Sequence, residues 1–410
     1  MTSSINAASG PLINWSPMVR TILARGRSFG IAPSLCCRFI AFLIKERQIV
    51  NEQPGALALD LVAWQGRQTL DPDEMRTFVD LFCGGGLGAR GAVTAGLRPL
   101  LAVDLWDVAC QTYRANFPTT TVLNQRIEDI NPLEHVQPGT VDLLLASPEC
   151  TNHSVAKGAA PRDERSRETA LYTAQWIAML QPRWFVIENV KEMKVWSRYQ
   201  ELLDTFKALG YRLHEEVINA ADFGAPQARV RLFLVGGLNV TPPRITAPDN
   251  IVHKTARDIL DPAGTWPETP LFVEGRAAST VARARHAIKT LGSDAEFLLV
   301  YYGSGGEKSW QTLNQPLRTV TTIDRFALVR KRNGRYVMRM LQPAELARAM
   351  SLPPEHQFPV GNRREKVKLC GNGVCAAVIE NIVRCLAAAS PPPSSSTPLL
   401  PEEGRKAVPA

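Results

Sequence analysis

The sequence predicts an α/β protein, a doubly wound, mostly parallel sheet accompanied by a second, smaller domain. Three observations carry that prediction. Apolar runs of strand length alternate with helical stretches between Thr77 and Val235, which is the pattern of a parallel sheet covered on both faces. The residues with chemical potential cluster where those runs end, and ligands of such sheets bind outside the carboxyl ends of the strands. From about Leu238 to about Leu317 the alternation stops, and proline, glycine, arginine and aromatic residues take its place.

In order, the strand candidates are Thr77 to Phe82, Leu100 to Asp104, Thr121 to Asn124, Val141 to Ala146, Trp184 to Glu188 and Val230 to Val235. The helical stretches between them are Gly88 to Ala95, Asp107 to Asn116, Arg167 to Leu180 and Tyr199 to Leu209. In the smaller domain Val281 to Leu291 reads as a helix carrying Arg283, Arg285, His286 and Lys289, followed by the apolar strand Phe297 to Tyr302 and the loop Gly303-Ser304-Gly305-Gly306. No internal repeat is present. The expected division is an N-terminal extension over 1–74, a catalytic and cofactor-binding domain over 75–237, the small domain over 238–317, a return segment over 318–389, and a tail over 390–410. The extension shows no clear periodicity; it reads either as variable sequence or as a start assigned upstream of Met75. The tail opens with Ser390-Pro391-Pro392-Pro393-Ser394-Ser395-Ser396, a composition that does not build a core and is expected to be disordered.

A chain of 410 residues, 45% of them hydrophobic, is long enough for a sizeable core and two domains. The net charge of +8 suits a polyanion but suits an ordinary surface as well. The 8 cysteines fall at no metal-ligand spacing and include the adjacent pair Cys36-Cys37, so neither a metal site nor a disulfide framework is indicated. Ile31 to Ile44, interrupted by Arg38, falls short of the roughly 20 residues of a membrane span and lies too deep for a secretory signal. A cytoplasmic protein without membrane association is expected.

The first strand runs into Asp80-Leu81-Phe82-Cys83-Gly84-Gly85-Gly86-Leu87-Gly88. A glycine turn between strand and helix lets a ligand approach backbone amides, and alone it is a weak signal. Asp104, at the end of the next strand, adds an acid able to accept from both hydroxyls of a ribose, which suits an adenosine-containing ligand. Further along come Ala146-Ser147-Pro148-Glu149-Cys150-Thr151-Asn152-His153-Ser154, Glu188-Asn189-Val190 and Gln227-Ala228-Arg229-Val230-Arg231. Taken singly each has an ordinary explanation, since a cysteine after a strand is usually a small core residue. Their order, each at a strand end, is the informative feature.

Together these segments resemble the cytosine-5 DNA methyltransferases of bacterial or phage type, from about Thr77 to about Leu386. The resemblance implies a Rossmann-like S-adenosylmethionine-dependent fold whose smaller domain recognises the target. It assigns Asp80, Phe82, Gly84, Gly86, Asp104, Leu105, Asp129, Ile130, Asn372 and Val374 to cofactor binding, with Phe82 on the adenine and Asp129 accepting from its amino group. S-adenosyl-L-methionine is the implied cofactor. Cys150 is the implied nucleophile, because carbon 5 of cytosine accepts a methyl group only after temporary addition at carbon 6. Glu188 is the implied acid for ring nitrogen 3, Arg231 the cation near the carbonyl oxygen, and Arg229 the residue that holds the catalytic loop. Alternation places Gln227, Arg229 and Arg231 on one face of an extended segment and Val230 on the other. Arg318-Thr319-Val320-Thr321-Thr322, the run from Arg339 to Arg348, and Gly371-Asn372-Gly373-Val374 match the family's later motifs. The chain departs from the family at Glu149, where a proline is usual.

The chemistry requires a cytosine flipped out of duplex DNA, which is the implied partner. Arg283, Arg285, Lys289, Tyr301, Tyr302 and Lys308 are candidates for contacts to phosphates or base edges. A monomer with a cognate restriction endonuclease as candidate partner is expected. Two alternatives stand beside this reading: the same chemistry on RNA, and a DNA-binding relative without activity.

Overall fold

The first strand, β1 (Thr77–Leu81), enters the centre of a sheet built from β2 (Arg98–Asp104), β3 (Thr121–Asn124), β4 (Leu143–Ala146), β5 (Trp184–Asn189), β6 (Tyr211–Asn219) and, after the short β7 (Gln227–Ala228), β8 (Val230–Leu238). The structure is a computed structural model and describes residues 76–148, 164–303 and 305–389. The N-terminal extension, residues 149–163 with Glu149 and Cys150, Ser304, and the C-terminal tail lie outside the described residues. The strand order is β3-β2-β1-β4-β5-β8-β6. The strands from β3 through β5 are parallel, and β8 runs antiparallel to both β5 and β6.

Every residue of β4 and β5 is buried, as expected of central parallel strands covered on both sides. Alternate residues serve opposite faces. Phe78, Leu143, Leu145, Trp184 and Val186 pack toward α1 (Leu87–Thr94) and the last helix, while Val79, Leu81, Leu144, Phe185 and Ile187 pack toward α3 (Glu164–Leu180) and α4 (Tyr199–Ala208). The helix α2 (Asp107–Asn116) adds Cys110 and Tyr113 to the first of these faces.

The second sheet has the order β11-β10-β13-β14-β9. It comprises β9 (Thr269–Pro270), β10 (Phe297–Val300), β11 (Trp310–Thr312), β13 (Phe326–Arg332) and β14 (Arg335–Met340), with α5 (Ala278–Leu291) on one face. Ala284 and Ala287 of α5 pack on Phe297, Leu299, Ala327 and Val329. The opposite-facing residues Leu298, Val300, Phe326 and Leu328 join the core of the large sheet, so the two lobes share apolar packing. Between them, β12 (Leu317–Arg318) pairs in parallel with β7. The hairpin β13–β14 lies beyond residue 317, in the stretch expected to return to the large domain; the chain touches β7 and then re-enters the second sheet before returning.

The return ends in α6 (Pro343–Ala349), α7 (Arg363–Asn372) and α8 (Ala376–Ala388). The buried residues Val378, Ile379, Ile382, Val383 and Leu386 form one stripe on α8. A Cβ on Gly91 of α1 would lie 2.1 Å from the Ala376 carbonyl oxygen, so the two helices approach to backbone contact. The run Arg363–Ala388 is long and apolar enough for a membrane span by length and composition. It is interrupted between α7 and α8, and 61% of its apolar window is buried against this core.

Candidate active site

Where β1 ends, Phe82, Gly84 and Gly86 all take positive φ (56°, 53° and 78°), turning the chain so that Leu87 can begin α1. A Cβ on Gly86 would stand 2.5 Å from the Phe117 ring, whereas none of the surrounding atoms comes within 4 Å of that position on Gly84. The first glycine of the turn thus faces open space while the last is packed. Asp104, at the end of β2, clasps the turn: Oδ2 accepts from the Gly84 N–H at 2.8 Å and Oδ1 from the Trp106 N–H at 2.8 Å. Burial raises the Asp104 pKa, and these backbone bonds oppose the rise. Asp80, buried below the turn, is pushed up to about 8 by burial, with the charge of Asp104 adding to the shift and the Tyr113 hydroxyl opposing it. Leu105 is 60% exposed, and the Lys368 ammonium sits 4.4 Å from the centre of the Trp106 ring. Asp129 is exposed at the carboxyl side of β3, and Ile130 beside it is buried. Trp106 and Lys368 were absent from the sequence reading; the tryptophan's place directly after Asp104-Leu105 was the available signal.

Farther along the same sheet edge, Glu188 of β5 stands opposite Phe233 of β8. Because β8 is antiparallel, its first residues lie at the carboxyl end of β5, and Arg231 becomes the same-face diagonal neighbour of Glu188. Arg231 Nε is 3.2 Å from Glu188 Oε1. Glu188 is only 7% exposed, and burial raises its pKa against the attraction of Arg231 and then Arg229. The pair lines a small pocket closed by Ile218, Ala220, Phe233, Val374 and Cys375. Val374 also lies against α1, where a Cβ on Gly88 would be 3.4 Å from it. Asn372 is exposed at the end of α7.

Gln227 and Arg229 are buried and Val230 is 43% exposed, the alternation expected of this segment. Arg229 donates from Nη1 to the Val320 carbonyl and from Nη2 to that of Gly371, both at 3.0 Å. Gln227 accepts from the Val320 N–H at 2.8 Å and donates to the Ala349 carbonyl at 3.1 Å. The described bonds of Arg229 therefore hold the return segment. Cys150 lies outside the described residues, but the residues directly before it are described. Asn189 donates to the Pro148 carbonyl at 3.2 Å, and the Ser147 N–H bonds the Leu81 carbonyl at 3.2 Å. The tripeptide Glu188-Asn189-Val190 thus supplies both an acid and an anchor, the second of which sequence reasoning did not assign.

In the second lobe, Arg283 donates to the Gly306 carbonyl at 3.3 Å and lies 5.4 Å from the Tyr301 ring centre. Arg285 stands over Phe272, and His286 accepts from the Trp310 indole N–H at 2.9 Å. Of these side chains, Arg283 braces the glycine-rich loop. Tyr302, 75% exposed with φ 55°, projects from it.

A glycine turn clasped by the acid of the next strand and a buried carboxyl paired with a guanidinium thus stand at the carboxyl ends of the strands of one sheet. The family model of C-5 cytosine-specific DNA methylases matches residues 76–388, and the chain belongs to that family. It is 33% identical over 195 residues to the type II methyltransferase M1.HphI of Haemophilus parahaemolyticus, covering 45% of this chain and 52% of the relative. It is 31% identical over 153 residues to the rat tRNA (cytosine(38)-C(5))-methyltransferase, covering 37% and 39%. The chain spans about half the length of the curated relatives it matches. A prophage-encoded DNA modification methyltransferase candidate from E. coli shares the fold, with a TM-score of 0.57 and 18% identity over 77% of this chain and 99% of the other.

Proposed function

We propose that the chain is a DNA (cytosine-5-)-methyltransferase that modifies a flipped cytosine through a covalent Cys150 adduct. The observation that carries this reading is the Glu188–Arg231 pair, 3.2 Å apart in a buried pocket on the sheet edge that also holds the Asp104 cradle. S-adenosyl-L-methionine, when bound, supplies an electrophilic methyl group. The residues fit it: Gly84 leaves open space above the turn. The carboxylate oxygens of Asp104 each accept one backbone N–H, which leaves lone pairs for ribose hydroxyls. Asp80, Phe82, Gly86, Leu105, Asp129, Ile130, Asn372 and Val374 complete the proposed cofactor site.

The Cys150 thiolate adds to carbon 6, and Glu188 in its acid form hydrogen-bonds and protonates nitrogen 3, so carbon 5 gains the electron density to accept the methyl group. Burial of Glu188 favours that acid form. Arg231 meets the carbonyl oxygen, while Arg229 keeps the return segment at the pocket wall. Loss of the carbon 5 proton then lets the thiolate leave and returns the proton from nitrogen 3 to Glu188. Duplex DNA is the partner, read by the second lobe of a monomeric, cytoplasmic enzyme; the type II relatives support a cognate restriction endonuclease.

The same chemistry on RNA is the second reading, favoured by the rat tRNA relative. Incorporation of labelled methyl groups into duplex DNA and into transfer RNA separates the two. Incorporation into DNA alone is expected, and incorporation into transfer RNA alone would overturn the DNA reading.

A further inference from the structure

The loop that joins the lobes carries two arginines for which none of the described residues provides a counter-charge. Arg318, in β12, is exposed; its N–H bonds the Gln311 side chain at 3.0 Å, and its backbone is in register with Ala228, next to Arg229. Arg325 precedes β13, and its carbonyl accepts from the Tyr301 N–H at 2.8 Å. Its guanidinium points back beneath the glycine loop, where Nη2 would lie 3.9 Å from a Cβ on Gly303. Nε of Arg325 is buried and has no hydrogen-bond partner among the described residues. Asp324, the adjacent acid, is already bound by Arg363. Burial and then the like charge of Arg318 both lower the Arg325 pKa. Arg330, Arg332 and Arg339 of the same lobe, by contrast, have carboxylate partners: Arg330 and Arg332 share Glu268, and Arg339 is paired with Glu345.

A half-buried guanidinium with one N–H left without an acceptor is costly, and a second cation beside it adds to the cost. Such a pair is stable where an anion arrives to satisfy both. The location narrows the class of anion. Val320, two residues after Arg318, is held by Gln227 and Arg229, so the pair sits between the glycine loop with exposed Tyr302 and the strand that bears Arg231. A polyanion lying across the pocket would pass over this junction.

We propose that Arg318 and Arg325 form a seat for one backbone phosphate of the bound duplex, fixing the strand at the junction of the lobes. The seat rests on the DNA reading above, and it acts by positioning, without reading sequence. Neutralising one phosphate contact makes the dependence of binding on salt less steep by about one unit of the log–log slope and weakens binding on the order of tenfold.

The test is duplex binding by the full chain, followed by fluorescence anisotropy across a salt series. Arg325→Gln and Arg318→Gln should each weaken binding and flatten the slope. Arg325→Lys should restore the slope, and Arg335→Gln, at the far end of the β13–β14 hairpin, should leave both unchanged. S-adenosylmethionine binding, measured by calorimetry, should be the same in all variants. Slopes equal to that of the parent, or an equal effect from Arg335→Gln, would overturn the seat while leaving the DNA reading intact. A parent chain that binds no duplex would overturn both.

Discussion

Glu188→Gln preserves the shape of the side chain and removes the proton that a carboxylic acid can deliver to nitrogen 3. Glu188 is the sole acid among the described residues lining the pocket, so no described neighbour can take over. General acid assistance contributes roughly 10²–10⁴ in rate, and a hundredfold loss corresponds to about 2.7 kcal/mol of transition-state stabilisation. We expect at least that loss. The fold should respond in the opposite sense. Burial outweighs the attraction of Arg231 and Arg229, so the ionised carboxyl is less favourable in the folded protein than in the unfolded chain. The stability contributed by its acid form is full below the unfolded pKa of about 4.3 and is lost as pH rises through the raised folded value. Glutamine resembles the acid form at every pH, so the variant should melt at or above the parent's temperature at pH 8. The two should converge toward pH 4. Single-turnover methylation with saturating DNA and cofactor gives the rate, and thermal melts across pH give the stability. A rate within threefold of the parent would refute the acid role, and a melting temperature well below the parent's at pH 8 would show that the ion pair outweighs burial.

Cys150→Ser should abolish turnover while cofactor binding persists, because a hydroxyl is far less ionised than a thiol near neutrality; substantial methylation would remove Cys150 from the chemistry. Asp104→Asn replaces one acceptor of the clasp with a donor facing a backbone N–H, so S-adenosylmethionine affinity should fall about tenfold or more with duplex affinity unchanged. Calorimetry checks both, and an unchanged cofactor affinity would deny Asp104 its place. Gly371→Ala places a Cβ 2.4 Å from the Thr321 carbonyl carbon, and denaturant unfolding should show a loss of about 2 kcal/mol; a loss under about 0.5 kcal/mol would mean that the return segment moves freely aside.

The central sheet was legible because β1, β2, β4 and β5 each hold a short apolar run, as strands buried on both faces do. The nine-residue β6 was not assigned, since it is an edge strand and carries Arg212, His214, Glu215 and Glu216, which blur its period. The β13–β14 hairpin was hidden for a related reason: Arg330, Lys331, Arg332, Lys331's partner Asp294 and the buried Arg330–Glu268 pair satisfy one another only in three dimensions. At the site, the order of motifs sufficed to bring Glu188, Arg229 and Arg231 together on paper, since each ends or begins a strand. What pattern alone lacks is the list of long-range backbone partners. Nothing local to Arg229 announces the carbonyls of Val320 and Gly371, nor does Asn189 announce Pro148. Gly371 looks like any helix-end glycine until Thr321 is placed against it.

The most direct test of the proposed activity is methylation-sensitive sequencing of DNA from a host that expresses the chain. The predicted result is 5-methylcytosine at one recurrent sequence, absent when the host expresses Cys150→Ser. Unmodified host DNA alongside well-folded, cofactor-binding protein would contradict the assignment of this site to DNA cytosine methylation.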